Sequence, residues 1–330
     1  MWKIKWIVKP KIAGILAFFA GGFFLFAMTD HHFFSLVTLP DNIPITIMLV
    51  TVGGLSWYSL RRGVENDRRM EQGKPLLEKE QGTRAMTWPN LVYIEFICLI
   101  LVTVFLIFWS VGFQAPLEEP ANPALTPNPS KAPWYFLGLQ EMLVYYDPWL
   151  AGVVYPGLII VGLMGLPYFD PNPKGNGYYT FKERKFAIAV FLFGFVIQWV
   201  LLIMLGTFMR GPGWNFFGPF EEWNIHKVVS LTNINLSELF WVKLLGIGLP
   251  KNILIREGLG MGLVFAYLFG APLLLAKTIF KNFFEQMTFV RYNLMCFLFL
   301  MLMSLPIKMI LRWTINLKYV VAIPEYFFNI

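Results

Sequence analysis

The sequence predicts an all-α polytopic membrane protein with about seven transmembrane helices and several short interfacial helices. Of its residues, 57% are hydrophobic and only 14% are charged, a balance outside the range of soluble globular proteins. Apolar runs of about 17 residues or more recur along the chain, and a run of that length can cross a bilayer as a helix. Basic residues cluster in alternate connecting segments, a pattern typical of polytopic membrane proteins.

Seven apolar runs are the predicted spans, and the first two are near the minimum length. The chain starts with a basic segment, but no small-residue cleavage site follows the first run. We therefore expect a retained span and not a signal peptide. The predicted spans cover residues 12–28, 44–60, 91–113, 149–168, 186–208, 257–276 and 289–311.

Membrane topology accounts for the net charge of +7. Segment 29–43 has no lysine or arginine, and segment 114–148 has only Lys131. By the positive-inside rule, this distribution predicts a cytoplasmic N-terminus and places residues 114–148 on the opposite face. The basic excess therefore does not predict nucleic-acid binding. The clustered basic residues are Lys3, Lys5, Lys9, Lys11, Arg61, Arg62, Arg68, Arg69, Lys74, Lys79, Arg84, Lys174, Lys182, Arg184, Lys185, Lys277, Lys281 and Arg291.

The spans and charges divide the chain into five parts. No sequence repeat relates the two halves, which counts against the inverted-repeat transporter folds. The predicted parts are a transmembrane hairpin at 1–60, a charged cytoplasmic linker at 61–86, a three-span domain at 87–208 with the loop 114–148, an outer-face loop at 209–256 with an interfacial helix near 236–249, and two additional spans with a C-terminal tail at 257–330.

Haem ligands are missing from the predicted spans. A bis-histidine haem site in a helix bundle needs inward-facing histidines on the spans. His31 and His32 fall in the loop between the first two spans, and His226 falls in the outer-face loop. No Cys-x-x-Cys occurs, and we predict no metal site. If the protein takes part in electron transfer, its haems are expected in another chain.

The stretch from Lys131 to Leu139 reads Lys-Ala-Pro-Trp-Tyr-Phe-Leu-Gly-Leu and follows four prolines between Pro120 and Pro129. Proline lacks an N–H and fixes φ, so the preceding segment predicts a stiff, extended connector. The composition then becomes aromatic and aliphatic before the next span begins near Trp149. We expect a short helix at the membrane surface, with space for a ligand beneath it.

Residues from Thr87 to about Thr207 resemble the C-terminal half of cytochrome b, a separate "subunit IV" in chloroplast-type cytochrome b/f complexes. The resemblance covers about 120 of 330 residues. It rests on Thr-Trp-Pro-Asn at 87–90 before a span, and on Ala-Pro-Trp-Tyr-Phe-Leu at 132–137. The second segment is similar to the Pro-Glu-Trp-Tyr motif of the family's quinol-oxidation site. The chain looks like an extended variant from bacterial Rieske/cytochrome b complexes, in which two spans are added.

The chain differs from this motif at the position of its acidic residue. In the family the motif's glutamate takes a proton from quinol, but here the aligned Pro133 has neither a charge nor an N–H. Quinol oxidation releases two protons and needs a base within hydrogen-bond reach. Glu141, two helical turns after Trp134, is the candidate proton acceptor. Asp147 is a second candidate, although Asp147-Pro148 is also typical of an ordinary helix stop.

The resemblance implies a quinol pocket lined by one short segment of the chain. Tyr135 is expected either to hydrogen-bond a quinone carbonyl or to anchor the segment at the interface. Helical spacing places a further set of residues on one common face, namely Trp134, Gly138, Glu141 and Tyr145. The implied pocket residues are Pro133, Trp134, Tyr135 and Phe136.

Glu95 is the candidate for a quinone or proton site on the inner face. The family has an aspartate directly after Pro-Asn, where this chain has Leu91. Glu95 lies about one turn further into the span. A carboxylate in a span costs roughly 2.5–3.5 kcal/mol at the bilayer centre and is a functional candidate for that reason. The alternative is that Glu95 snorkels to the cytoplasmic interface.

The resemblance implies a haem-free membrane subunit of a quinol:cytochrome c oxidoreductase, not catalytic alone, in a bacterial inner or other energy-transducing membrane. The implied partners are a cytochrome b N-terminal-type chain carrying haem b, a Rieske iron–sulfur protein and a c-type cytochrome, in a dimeric complex. The quinone is either menaquinone or ubiquinone. Two alternatives stay open. The first is a purely structural subunit. The second is a transporter, which would need several inward-facing polar residues on its spans, and Glu95 and Gln198 alone are weak evidence for it.

Overall fold

Seven helices in the described part of the chain are long and apolar enough to cross a membrane, which confirms the predicted all-α polytopic fold. The computed structural model describes residues 4–82, 85–113, 120, 122–124, 126–175, 177–227, 229 and 232–330. Within these residues the seven spans are Pro10–Ala27, Ile43–Glu71, Thr87–Gly112, Leu150–Phe169, Lys185–Met209, Gly258–Lys277 and Phe289–Ile315.

Four of these spans contain π-helical turns, in which each N–H reaches one residue further back than in an α-helix. The π-helical segments are Thr87–Leu91, Leu150–Val154, Phe193–Trp199, Leu205–Met209, Glu238–Leu244 and Ala266–Gly270. The α-helices are Ile4–Ile7, Pro10–Ala27, His31–Thr38, Ile43–Glu71, Leu77–Gln81, Val92–Gly112, Trp134–Met142, Tyr155–Phe169, Lys185–Leu192, Val200–Met204, Ile253–Arg256, Gly258–Phe265, Ala271–Lys277, Lys281–Gln286 and Phe289–Ile315. Two 3₁₀ turns, Pro212–Trp214 and Pro324–Tyr326, and two antiparallel strands, Ala322–Ile323 and Phe328–Asn329, complete the described elements.

The second span is longer than its apolar run predicts. The helix continues to Glu71, because the charged residues that follow the apolar run include good helix formers such as arginine, glutamate and methionine. The predicted linker 61–86 therefore begins as helix. The interfacial helix predicted near 236–249 is shorter, Glu238–Leu244, and it ends before Gly246, whose φ is 68°.

His31 and His32 do not lie in a loop, as the sequence predicts, but begin the helix His31–Thr38. Asp30 precedes this helix in an extended conformation, and its Oδ1 accepts a hydrogen bond of 2.8 Å from the Phe33 N–H. An aspartate in this position is a strong N-cap, and the sequence therefore contained the signal for the helix. The extended connector predicted at 114–130 falls largely on residues 114–119, 121 and 125, which lie outside the described residues.

The chain forms two compact units, and each is described by itself. The domain boundaries predicted from the sequence stay predictions. The first unit comprises Met1–Ser130, Lys174–Val190 and Phe217–Trp223, and the second comprises Lys131–Pro173, Phe191–Phe216 and Asn224–Ile330.

In the first unit, two buried polar side chains hold the charged end of the second span. The Asp67 carboxylate accepts hydrogen bonds from the Phe181 N–H at 3.1 Å and the Lys182 N–H at 3.0 Å. The neighbouring Asn66 amide donates to the Tyr179 carbonyl at 2.8 Å. An unpaired buried polar group costs roughly 1–3 kcal/mol, so these bonds fix the helix against the loop backbone.

In the second unit, the helix Trp134–Met142, called the motif helix below, packs closely against the fifth span. A Cβ added to Gly138 would lie 3.3 Å from the Trp199 ring, and one added to Gly206 would lie 3.0 Å from the Leu137 side chain. Small residues at such a contact let two helix backbones approach each other. The buried core beside this contact consists of Met142, Tyr145, Tyr146, Leu150, Ala151, Tyr155, Leu202, Leu205, Leu305 and Met309.

Hydroxyl groups tie the seventh span, Phe289–Ile315, to the same unit. The Tyr146 hydroxyl and the Ser304 hydroxyl are 2.8 Å apart, and the Tyr155 hydroxyl donates to Tyr146 at 2.9 Å. Tyr155 is also hydrogen-bonded to Ser304. Bonds of this kind between membrane helices contribute about 0.6 kcal/mol each on average.

We expect Asp67→Ala to destabilise the protein by about 1–3 kcal/mol, because it leaves two N–H groups of the 181–182 backbone without their acceptor. The measurement is the midpoint of thermal unfolding of the detergent-solubilised protein. Arg68→Ala is the matched control, since Arg68 is the next residue of the same helix and is exposed. Equal midpoints for the two variants would contradict the role assigned to Asp67.

Candidate functional site

The motif helix begins at Trp134, directly after Pro133, which occupies the N-cap position. Proline is tolerated here because the first N–H groups of a helix have no partner within it. The Ala132 N–H donates to the side-chain oxygen of Gln140 at 2.8 Å, which fixes the segment before the helix to its second half. The short helix predicted from the change of composition is therefore present.

Three aromatic side chains in the first turn of this helix face away from the second unit. Trp134, Tyr135 and Phe136 are 40%, 52% and 53% exposed. Consecutive ring centroids are 5.7 Å apart between Trp134 and Tyr135 and 4.8 Å apart between Tyr135 and Phe136. Pro133 is exposed beside them. We call residues 133–136 the aromatic row. An exposed apolar cluster of this kind marks a contact face for a ligand, a lipid or another chain.

The last turn of the same helix carries Glu141, whose side chain is fully buried. Arg210 binds it at two points: Nε lies 3.0 Å from Oε2, and Nη2 lies 2.8 Å from Oε1. The Tyr145 hydroxyl donates a third bond to Oε1 at 3.1 Å. The Arg210 guanidinium also donates to the Trp214 carbonyl at 3.1 Å. Gly138, Glu141 and Tyr145 are buried, whereas Trp134, which helical spacing predicts on the same face, is 40% exposed.

The surroundings of this ion pair shift the pKa values of its partners. Burial disfavours the charged Arg210 guanidinium, but the bonds to Glu141 and its negative charge outweigh burial and raise the pKa of Arg210. Burial, reinforced by the negative charge of Glu141, raises the pKa of the Tyr145 hydroxyl. A two-point pair of this kind is strong and directional, and removing one partner would leave the other as an uncompensated buried charge.

Lys131 lies two residues before Pro133. Its Nζ donates to the Thr207 carbonyl at 2.7 Å, near the end of the fifth span. Burial lowers the pKa of the Lys131 amine to about 8, although the negative charge of Glu141 acts in the opposite direction. The Thr207 hydroxyl is buried and has no hydrogen-bond partner among the described residues. The start of the motif helix therefore carries a lysine and a hydroxyl group beside the aromatic row.

Asp147, the second acidic candidate, follows the motif helix and is bound by the end of the chain. Its Oδ2 accepts hydrogen bonds from the Asn329 amide at 2.9 Å and from the Tyr319 hydroxyl at 3.4 Å. Burial, reinforced by the charge of Asp147, raises the pKa of Tyr319 to about 12. Nearby, the Trp149 ring stacks on Phe328 with centroids 5.4 Å apart.

Glu95 belongs to the first compact unit and lies in the first turn of the α-helix Val92–Gly112. Its side chain is exposed on the surface of the chain. Two predictions for this residue therefore stay open. It belongs to a quinone or proton site on the inner face, or its carboxylate reaches the cytoplasmic interface.

Sequence reasoning missed the partners that hold the acidic candidates. Arg210, Tyr319 and Asn329 all lie far along the chain from the residues they bind. One signal was available for Arg210, because an arginine directly after the apolar run Leu205-Gly206-Thr207-Phe208-Met209 is expected to find a buried acidic partner or to reach the interface. No comparable signal marks Tyr319 or Asn329.

Among the described residues, no group of three or more histidine, cysteine, aspartate or glutamate side chains could hold a metal ion. His31 and His32 begin a short helix between two spans, and His226 lies in the segment after the fifth span. Haem in a bundle would need histidines within spans, so these residues do not fit that cofactor.

Comparison with known proteins identifies the part of the chain that contains this site. Residues 120–221 match the model of the family described as Cytochrome b(C-terminal)/b6/petD. The matched segment includes the aromatic row, Glu141 and Arg210, and it covers about a third of the chain. This segment is similar to a domain of the cytochrome b C-terminal or subunit IV type. No solved structure matches the chain.

Arg210→Met is expected to lower the free energy of unfolding by roughly 3–5 kcal/mol, because it leaves Glu141 as an unpaired buried carboxylate. The double variant with Glu141→Leu is expected to recover part of this loss, since both charges are then absent. Unfolding is measured in detergent by denaturant titration.

The matched control is Glu325→Gln, which breaks another two-point pair in the same unit. Arg256 binds Glu325 at 2.9 and 2.8 Å, but the Glu325 side chain is 46% exposed. We expect this variant to change stability little, because solvent screens exposed pairs. Equal losses for Arg210→Met and Glu325→Gln would contradict the structural importance of the buried pair.

Proposed function

We propose, from the premise that residues 120–221 form a cytochrome b C-terminal-type domain, that this chain is a haem-free membrane subunit of a quinol:cytochrome c oxidoreductase. In this proposal the chain contributes one wall of the quinol-oxidation pocket and is not catalytic alone. The observation that carries it is the exposed aromatic row in the first turn of a helix whose last turn is fixed by the Glu141–Arg210 pair.

The aromatic row is suited to a quinol because the ring of a quinol is flat and apolar and carries a polar oxygen at each end. Trp134 and Phe136 provide aromatic faces and edges against which such a ring packs. Tyr135 adds a hydroxyl group that can bond a quinone oxygen. Because ligand sites are mostly apolar with a few placed polar groups, this composition supports a quinone pocket.

Proton transfer is the demanding part of this function, since Pro133 cannot accept a proton. The geometry sets a condition on the hypothesis that Glu141 accepts this proton. Both carboxylate oxygens accept hydrogen bonds from Arg210, and one of them also accepts a hydrogen bond from Tyr145. Protonation of Glu141 would leave Arg210 as a buried cation without a counter-ion, so this role requires the pair to open. Asp147 is held in a similar way by Tyr319 and Asn329.

The remaining parts of the proposal concern the complex. A cytochrome b N-terminal-type chain carries the b haems, a Rieske protein takes the first electron, and a c-type cytochrome receives it, in a dimeric assembly. The substrate is menaquinol or ubiquinol. The membrane is a bacterial or other energy-transducing membrane with the N-terminus in the cytoplasm, and Glu95 serves the inner face.

A purely structural role is the second candidate, and the buried pairing of Glu141 favours it. If the motif segment has lost its proton chemistry, the aromatic row packs against the haem-carrying chain and binds no quinol. The two candidates differ in whether a quinone reaches residues 131–145.

A photoreactive quinone analogue, added to the intact complex in native membranes, is expected to label residues 131–145. Tyr135→Ala together with Trp134→Ala is expected to reduce that labelling at least tenfold, because it removes two rings of the aromatic row. Tyr168→Ala is the control, since Tyr168 is 78% exposed and lies on the fourth span. Peptide mapping by mass spectrometry locates the adduct, and absence of an adduct from 131–145 would favour the structural role.

Glu141→Gln in the intact complex separates the two roles of this residue. Glutamine still accepts a bond from Arg210 but carries no charge, so we expect a lower rate of quinol oxidation at every pH together with reduced stability. A rate that changes its pH dependence while stability is unaltered would show that Glu141 itself takes the proton. Unchanged quinol oxidation from acidic to alkaline pH would exclude it from the mechanism.

A further inference from the structure

We propose that the end of the seventh span, together with the residues that follow it, forms a binding site for the phosphate group of an anionic phospholipid. The inference does not depend on quinol chemistry, and it concerns residues outside the matched segment 120–221. Three observations carry it: the convergence of three cations, the lack of a carboxylate partner for them among the described residues, and their depth at the end of a span. The three cations are Lys308, Arg312 and Lys318.

The cations converge because of helical spacing and one aromatic ring. Lys308 and Arg312 are four residues apart in the seventh span and therefore lie on one face of the helix. The helix ends at Asn316, whose φ is 54°, and the chain then turns back towards Lys308. The Lys308 Nζ donates to the Lys318 carbonyl, and both amines lie over the Tyr319 ring, at 6.0 Å and 5.2 Å from its centroid. Three positive charges are thereby held together at the end of this span.

These charges are not neutralised by carboxylates of the described residues. Within that part of the chain, none of Lys308, Arg312 and Lys318 forms an ion pair. Burial lowers the pKa of the Lys318 amine and the positive charge of Arg312 lowers it further, while the negative charge of Asp147 acts in the opposite direction. The Asp147 carboxylate is itself engaged by the Tyr319 hydroxyl. Because arginine keeps its charge at every accessible pH, the excess of positive charge favours an added anion.

Many hydrogen-bond donors of the cluster are unused. Arg312 donates through Nη1 to the Asn316 carbonyl at 3.0 Å and through Nη2 to the Asn233 side-chain oxygen at 2.6 Å, and both acceptors are neutral. Among the described residues, neither the Arg312 Nε nor the Lys318 Nζ has an acceptor. A guanidinium has five N–H donors and an ammonium has three, so several donors are left for a ligand. Phosphate oxygens suit this set, because they accept paired bonds from arginine and attract the compact charge of lysine.

The depth of the cluster favours a lipid phosphate over a soluble one. The seventh span ends at Ile315, so Arg312 lies in its last turn. Trp313 is 59% exposed, and tryptophan is enriched where a membrane meets water. Lys308 and Arg312 are buried, whereas Lys318 is half-buried, so a ligand reaches the cluster from the side of Lys318. The end of a span lies at the level of the lipid head groups, where basic side chains bind lipid phosphates.

The test measures the binding of dioleoylphosphatidylglycerol to the delipidated full chain in detergent micelles. Bound lipid is counted by native mass spectrometry, and the affinity is taken from the rise of the thermal unfolding midpoint with lipid concentration. We expect saturable binding to the wild type and at least about tenfold weaker binding to the double variant Arg312→Gln, Lys318→Gln, because it removes two of the three charges.

The matched control is the double variant Lys243→Gln, Lys251→Gln, which removes the same amount of charge. Both control lysines are exposed and lie between the fifth and sixth spans. That segment is on the same face of the membrane as the end of the seventh span, because two spans separate them. We expect this variant to bind the lipid as the wild type does. An equal loss for the two double variants would overturn the inference, since the effect would then be one of net charge, and so would unchanged binding to Arg312→Gln, Lys318→Gln.

A milder pair of variants covers the case in which Arg312→Gln, Lys318→Gln does not fold, as judged by circular dichroism. Lys318→Gln alone is then compared with Lys243→Gln. Lys318 is half-buried, and its amine makes no hydrogen bond within the described residues, so its loss disturbs the fold little. Weaker lipid binding to Lys318→Gln than to Lys243→Gln supports the inference, and equal binding overturns it.

Two further probes distinguish the sources of the phosphate. Dioleoylphosphatidylcholine has the same acyl chains and a phosphate but no net charge, and inorganic phosphate has the charge without the chains. We expect at least about tenfold weaker binding of phosphatidylcholine and no rise of the unfolding midpoint with inorganic phosphate. Stabilisation by inorganic phosphate equal to that by phosphatidylglycerol would assign the site to a soluble anion and overturn the lipid inference. Absence of saturable phosphatidylglycerol binding to the wild type would overturn it as well.

Discussion

The second compact unit depends on one buried ion pair. Glu141 and Arg210 are 69 positions apart in the chain, and their two-point contact joins the motif helix to the end of the fifth span. Because an unpaired charge in this place would cost several kcal/mol, the two elements are fixed in both distance and rotation. That rotation decides which side chains of the motif helix face outward. The aromatic row lies two turns before this contact on the same helix, so the ion pair fixes the element that carries the exposed rings.

The motif helix separates two kinds of side chains along its length, with exposed rings in its first turn and a buried acid in its last turn. The charged and small residues, Gly138 and Glu141 among them, face the fifth span, while Trp134, Tyr135 and Phe136 face outward. In the resemblance that the sequence suggests, an acidic residue lies at the start of the helix, next to the rings. Here the acid is buried two turns later and paired. In the proposed quinone-binding wall, the proton is taken either by a group outside the pair or by Glu141 after the pair opens.

Composition and period were sufficient to predict the spans, the short motif helix and the positions of Gly138, Glu141 and Tyr145, although Trp134, predicted on their face, is exposed. These features depend on neighbouring residues, so a single sequence contains them. The partners of the acidic residues could not be predicted, because they depend on which distant segments pack together. Asp147 is bound by Tyr319 and Asn329, which lie 172 and 182 positions later. A single sequence contains no signal for such pairings. A polar C-terminal segment that stays exposed to solvent could have the same sequence pattern as this one.

The two spans that follow the matched domain belong to the structural unit of the site. Ser304 of the seventh span joins the hydroxyl groups of Tyr146 and Tyr155, and the last strand brings Asn329 to Asp147. Without this part of the chain, the loop after the motif helix would lose the bonds that hold its carboxylate and the ring that stacks on Trp149. The two spans after the matched domain and the C-terminal segment therefore stabilise the second unit. This part of the chain holds the Asp147 carboxylate through two hydrogen bonds, as Arg210 holds the Glu141 carboxylate, so both acidic candidates of the site depend on residues that lie far along the chain.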